Sequence, residues 1–182
     1  KVSPQDIVGL LGHIGRDTAG ALSIGEPRKL GIHLQPVPDA VALERILNEL
    51  PAKPFLVGER GVSMSLAGVQ EKLPVFVDEG GGISIPVDGT PSTHILKPDT
   101  RHLAGSVENE AFCLALARAC GLEAADATIG VSGKRRYLLV KRYDRFTDAQ
   151  GEIRRLHQED LCQLTGHFPS QKVFDQRTLK LQ

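Results

Sequence analysis

An antiparallel α+β fold is predicted from three observations. Apolar residues recur at helical spacing in two stretches, and between residues 62 and 97 the texture changes to short strands punctuated by glycine. The order of elements is strands, helix, strands, helix, which fits an antiparallel sheet with packed helices better than alternating β and α units.

Residues 3–16 open with Ser3 as the expected N-cap and Pro4 at the first helical position. Ile7, Leu10, Leu11 and Ile14 then fall at i, i+3, i+4 and i+7, one face of an amphipathic helix. A short strand is expected over 21–24. A connector rich in proline and glycine follows (Gly25, Pro27, Gly31, Pro36, Pro38) and is the best boundary in the chain. Asp39 is expected to cap a second helix, with Val41, Leu43, Ile46, Leu47 and Leu50 as its core stripe and Pro51 as its stop.

Strands are predicted over 62–66, 72–77, 83–87 and 93–97, with Gly80-Gly81-Gly82 as a hairpin turn. A helix starts near Ser106, carries Glu108 and Glu110 in its first turn and ends at Gly121. Two strands, 128–131 and 137–143, flank Gly133, and a short helix over 157–165 stops at Gly166.

The 182 residues carry 22 Lys+Arg against 22 Asp+Glu, a formal net charge of zero that argues against whole-surface binding to nucleic acid. With 41% hydrophobic residues the chain can bury a real core. No apolar run reaches the ~18 residues of a membrane span, and three cysteines make no disulfide framework. A soluble, cytoplasmic protein without a membrane partner is the expectation.

Residues 63–72, Ser-Met-Ser-Leu-Ala-Gly-Val-Gln-Glu-Lys, are the segment to explain. Small residues let backbone N–H groups approach a ligand, and two serines and a lysine suit phosphate, although the Walker A pattern is absent. A turn between two strands is the alternative. Thr93-His94-Ile95-Leu96-Lys97-Pro98 places a lysine at the end of an apolar strand, and Glu108 or Glu110 could be its partner, as kinases pair a strand lysine with a helix glutamate. Solvation of Lys97 is the plainer reading.

Taken together, these segments resemble the HipA family, serine/threonine protein kinases that act as toxins in bacterial toxin–antitoxin pairs. The resemblance is carried by 65–72, by 93–97 and by Glu108-Asn109-Glu110. It continues in Val140-Lys141-Arg142-Tyr143-Asp144-Arg145, in 156–163, and earlier in Ile14-Gly15-Arg16-Asp17 with Ala19-Gly20-Ala21. It implies a remnant of a small N-terminal subdomain (1–35), a kinase N-lobe-like antiparallel sheet with packed helices (36–166) and a polar tail (167–182).

Residue by residue, the resemblance implies that Ser65 is the serine whose autophosphorylation silences the kinase, with Ser63 as the alternative. Gly68, Gln70 and Lys72 match the rest of the ATP loop, and Lys97 matches the lysine on the ATP phosphates. Lys141 and Tyr143 fall at the adenine hinge, where the family usually has Glu and Phe. ATP and Mg²⁺ are the implied cofactors. A small DNA-binding, HipB-like antitoxin, through which alone DNA would be met, and a protein substrate are the implied partners. The family's Asp-Gly-His-x-x-Asn motif and its later metal-binding aspartate do not occur in this sequence, so the chain looks like a HipA-like piece that is inactive alone, with no catalytic residue of its own.

Four further features have plainer readings. Cys113 and Cys120, seven apart on one helix, are expected in the core. His94 and His157 lie in matched motifs but are expected to be ordinary hydrogen-bonded histidines, and Asp144 is expected to be a structural cap to the hinge. Between 134 and 155, eight basic residues (Lys134, Arg135, Arg136, Lys141, Arg142, Arg145, Arg154, Arg155) face three acidic ones, which keeps open a non-catalytic module for nucleic acid or an acidic partner.

Overall fold

The computed structural model describes residues 5–66, 68, 70–100 and 104–167. The expected cap Ser3, Pro4 at the expected first helical position, the loop positions Ala67 and Val69, and all of the tail but His167 lie outside the described residues. The first helix, α1 (Ile7–Ile14), is capped by Asp6, whose carboxylate accepts from the Gly9 amide at 2.9 Å.

Residues 21–24 are not a strand, because their main chain turns back on the end of α1: Ile24 N–H donates to Gly15 O at 2.8 Å. The connector, in contrast, contains one. Strand β1 (Leu34–Pro36) pairs antiparallel with a later strand, and its proline is tolerated because β1 lies at the sheet edge.

Helix α2 (Ala40–Glu49) starts where expected, with Asp39 accepting from Ala42 N–H at 2.8 Å. Of its predicted stripe Leu43, Leu47 and Leu50 are buried, whereas Val41, on the first turn, is three-quarters exposed. A 3-10 turn, Pro54–Leu56, follows.

Strands β2 (Leu73–Val77), β3 (Ile83–Pro86) and β4 (His94–Pro98) lie close to the predicted spans. Asp78 closes the glycine turn between β2 and β3, accepting from the Gly82 amide at 2.8 Å. Residues 62–66 form no strand and make a single parallel bridge, Met64 to Asp17. Both sides of the neighbouring β2 are taken by β3 and β4, and the main chain of 63 and 65 bonds to Asp17 instead.

Helix α3 (Ser106–Ala119) is followed by Gly121 at φ 81°, and strands β5 (Ala127–Ser132) and β6 (Arg135–Lys141) complete one antiparallel sheet of order β1-β3-β2-β4-β6-β5. A two-stranded ribbon that periodicity did not disclose, β7 (Arg145–Thr147) with β8 (Ile153–Arg155), precedes α4 (Leu161–Thr165). The last helix starts four residues later than predicted because a capping box between Asp160 and Gln163 begins it.

Opposite pleats of the central strands serve two cores. Leu96 pairs with Leu139 and Lys97 with Leu138, so successive residues face opposite sides of the sheet. On one side Leu43, Leu47 and Leu50 of α2 pack on Leu73, Val75, Ile85 and Leu96. On the other, Val107 of α3 packs on Leu138 and Val140. Each fully buried leucine contributes about 1.5–3 kcal/mol, so the sheet is a rigid platform between its helices. Cys113 and Cys120 are exposed, contrary to expectation, because α3 turns only its Val107, Ala111 and Leu114 stripe to the sheet.

Candidate nucleotide site

Lys97 lies on the α3 side of the sheet, and its ammonium donates to Glu110 Oε1 at 2.5 Å. Glu108, two residues earlier and therefore rotated away, pairs with Arg136 on β6. Helix geometry thus selects one of the two candidate partners.

Lys72, just before β2, joins the same charge group. Burial lowers its pKa, the Lys97 charge lowers it further, and Glu110 acts in the opposite direction. Lys72 and Lys97 thus bring two ammonium groups to one place beside Glu110, cationic groups of the kind that suit a polyphosphate. Gly68 sits over this point at φ 115°, and a Cβ there would lie 2.5 Å from Lys72 Nζ. Glycine is therefore favoured by the backbone conformation, whereas the Lys72 ammonium, at the end of a flexible side chain, can swing aside from a Cβ. Gln70 follows on the same loop and is half-buried.

The two serines differ. Ser63 Oγ accepts from the Arg16 amide at 3.3 Å, whereas the Ser65 hydroxyl has no hydrogen-bond partner among the described residues. The Ser65 backbone N–H donates to Asp17 O at 3.1 Å.

At the hinge, the Lys141 amide donates to Asp126 O at 2.8 Å and the Arg142 amide to Thr93 O at 3.0 Å, so neither is free for a ligand. Tyr143 is 71% exposed and makes no hydrogen bond to a described residue, which leaves its backbone groups open. Lys141 lies across from His94 on the other pleat from Lys97. The His94 pKa is lowered by burial and by the Lys141 charge. His94 Nδ1 lies 2.8 Å from Thr93 Oγ1, an ordinary hydrogen-bonded histidine, and His157 is exposed beside Glu159.

An ionic cluster that no sequence pattern disclosed lies behind the hinge. Arg142, Arg145 and Arg155 converge on Asp17 and Asp144: Arg142 Nη2 is 2.7 Å from Asp144 Oδ2, and Arg145 Nη2 is 3.0 Å from Asp17 Oδ1. Asp17, Asp144, Arg142 and Arg145 are almost fully buried. Burial alone would raise the Asp144 carboxyl, but Arg142, the Gly20 amide and Arg145 outweigh it and hold it below the usual carboxylate range. Asp144 is thus an internal ion-pair member. The alternating charges in the local sequence were visible, but only the fold brings Asp17 to them.

This cluster also reduces the expected basic face, of which Lys134, Arg136, Lys141 and Arg154 stay exposed. Arg142, Arg145 and Arg155 are turned inward, Arg136 pairs with Glu108, and Arg154 with Asp148 at 2.6 Å. Arg135 donates to Asn48 Oδ1 at 2.7 Å. Among the described residues no group of three His, Cys, Asp or Glu could hold a metal ion, and no helix is long and apolar enough to cross a membrane.

Residues 64–180 match the model of the HipA-like C-terminal domain family. Over 178 residues the chain is 41% identical to Y4mE of Sinorhizobium fredii, a protein named as a kinase, covering 94% of this chain and 42% of that one. It is 33% identical over 176 residues to the serine/threonine-protein kinase toxin HipA of Shewanella oneidensis, covering 94% and 39%. A chain in the solved complex of Shewanella oneidensis MR-1 HipA, HipB and operator DNA superposes with a TM-score of 0.72 at 29% identity, over 94% of this chain and 40% of that one. The chain spans about two fifths of the length of the relatives it matches.

Proposed function

This chain belongs to the HipA-like C-terminal domain family, and from that premise we propose that it is the ATP-loop lobe of a serine/threonine protein kinase. The observation that carries the reading is the Lys97–Glu110 ion pair between β4 and α3, with Lys72 and Gly68 beside it. A strand lysine fixed by a helix glutamate holds its ammonium where nucleotide phosphates lie, and phosphoryl transfer depends on positioned charge more than on covalent chemistry by the protein.

In this reading Lys97 and Lys72 bind the phosphates, Gly68 and Gln70 line the loop over them, and the open backbone of Tyr143 takes the adenine edge. ATP brings the transferable phosphoryl group, and Mg²⁺ comes with its phosphates. The Lys141 side chain, on the opposite pleat, lies outside the phosphate group. Ser65 is the modified serine in preference to Ser63, because the Ser63 hydroxyl already accepts from Arg16. A phosphate on Ser65 adds about −1.5 to −2 charges beside the lysines and competes with ATP for them. A HipB-like antitoxin and a protein substrate are the proposed partners.

Isothermal titration of the 182-residue chain with ATP and Mg²⁺ tests the reading. Binding is expected, with Lys97→Ala weakening it more than about tenfold while the melting temperature stays near the parent value. No transfer of phosphate is expected from this chain alone, since it lacks the Asp-Gly-His-x-x-Asn aspartate. Equal affinity in the parent and Lys97→Ala would sink the proposal.

A further inference from the structure

We infer that Asp17 is a positioning residue: it sets the distance between the phosphate loop and the hinge, a role that rests on the nucleotide reading above. Its main chain belongs to the loop. Asp17 N–H donates to Ser63 O at 3.0 Å, and Asp17 O accepts from Ser65 N–H at 3.1 Å. Its carboxylate belongs to the other end of the site. Oδ1 lies 3.0 Å from Arg145 and 3.4 Å from Arg155, Oδ2 lies 3.7 Å from Arg142, and Oδ2 accepts from the Ser92 amide at 3.1 Å.

One residue therefore ties together three segments that are distant in sequence. These are the loop 63–65, the approach to β4, which carries Lys97, and the run 142–145 that frames Tyr143. The carboxylate is 2% exposed, so the tie works without solvent screening. Three arginines surround two aspartates in this cluster, so removing the Asp17 charge leaves buried cations short of a partner and frees the arginines to shift.

The physical consequence is specific to ligand length. ATP reaches from the lysines to the hinge, and a fixed spacing makes the second contact intramolecular once the first is formed. Adenosine touches only the hinge, and tripolyphosphate touches only the lysines. Loss of the tie loosens the spacing while each end keeps its own groups.

The test is titration of the 182-residue chain and of Asp17→Asn with ATP, adenosine and tripolyphosphate, with Mg²⁺ present throughout. The expected result is a loss of about tenfold or more for ATP and a change within about twofold for each of the other two ligands. An equal loss for all three, or no loss for ATP, overturns the positioning role and leaves the nucleotide reading standing. Failure of the parent chain to bind ATP overturns both. Should Asp17→Asn not fold by circular dichroism, Asp17→Asn with Arg155→Gln removes one charge of each sign, and the same three affinities decide.

Discussion

Lys97 and Glu110 stand 13 residues apart in the chain, yet their head groups meet at 2.5 Å across the gap between a strand and a helix. The pair is about three-quarters shielded by protein, so it is neither an exposed surface bridge nor a deeply buried one. Its removal is expected to cost stability on the order of 1 kcal/mol. Glu110→Gln should lower the melting temperature by a few degrees, as read by circular dichroism, and weaken ATP binding because Lys97 loses its anchor. Glu108→Gln, which breaks only the pair with Arg136, should leave ATP affinity within about twofold of the parent.

The Lys97 charge acts on Lys72. Burial and Lys97 together lower the Lys72 pKa, so replacing Lys97 by methionine should raise it toward the ordinary lysine value. Glu110→Gln should move it the other way, since the carboxylate favours the charged ammonium. Titration of the lysine Nζ resonances by NMR reads both shifts. A Lys72 pKa unchanged in both variants would place the two lysines too far apart to share a phosphate group.

Acid stability should report on the buried cluster. The Asp144 carboxyl is depressed in the folded chain, so its contribution is fully present above the unfolded value of about 3.9 and is lost as pH falls through the lower folded value. Asp144→Asn at neutral pH leaves Arg142 and Arg145 without one of their two carboxylates and should cost about 3–5 kcal/mol. Urea melts between pH 2 and 7 should also show a shallower acid decline in the variant.

A second pH effect belongs to His94. Its folded pKa is also depressed, by burial and then by Lys141, so the unfolded chain takes up the proton first as pH drops. Stability from this group is therefore present above about 6.5 and declines below it. His94 Nδ1 is hydrogen-bonded with the Thr93 hydroxyl, whose oxygen accepts from Val77 N–H at 2.9 Å. His94→Gln should flatten the melting temperature between about pH 5 and 6.5. An unchanged slope would assign that decline to other groups.

Elements whose evidence is local were legible in the sequence. Asp39 and the i, i+3, i+4 leucines define α2, the glycine triplet with Asp78 defines the β2–β3 turn, and Gly121 ends α3. The reason is that caps, turns and helix stripes are satisfied by atoms a few residues away. Motif order likewise pointed to the family before any geometry was known, and the Lys97–glutamate pairing could be narrowed to two residues.

What only the tertiary structure decided depends on partners remote in the chain. Residues 21–24 and 62–66 have strand-like composition, but their main chains bond instead to the end of α1 and to Asp17, whereas Leu34–Pro36, which reads as a connector, pairs with β3. Glu110 and not Glu108 meets Lys97 because the turn of α3 and the pleat of β4 set which side chains share a face. The eight basic residues of 134–155 read as a charged surface until Asp17, more than a hundred residues away, draws three of them toward it. Charge in a sequence is a count, and whether it faces water or a buried carboxylate is settled by long-range packing, where desolvation makes an unpaired charge too costly to leave.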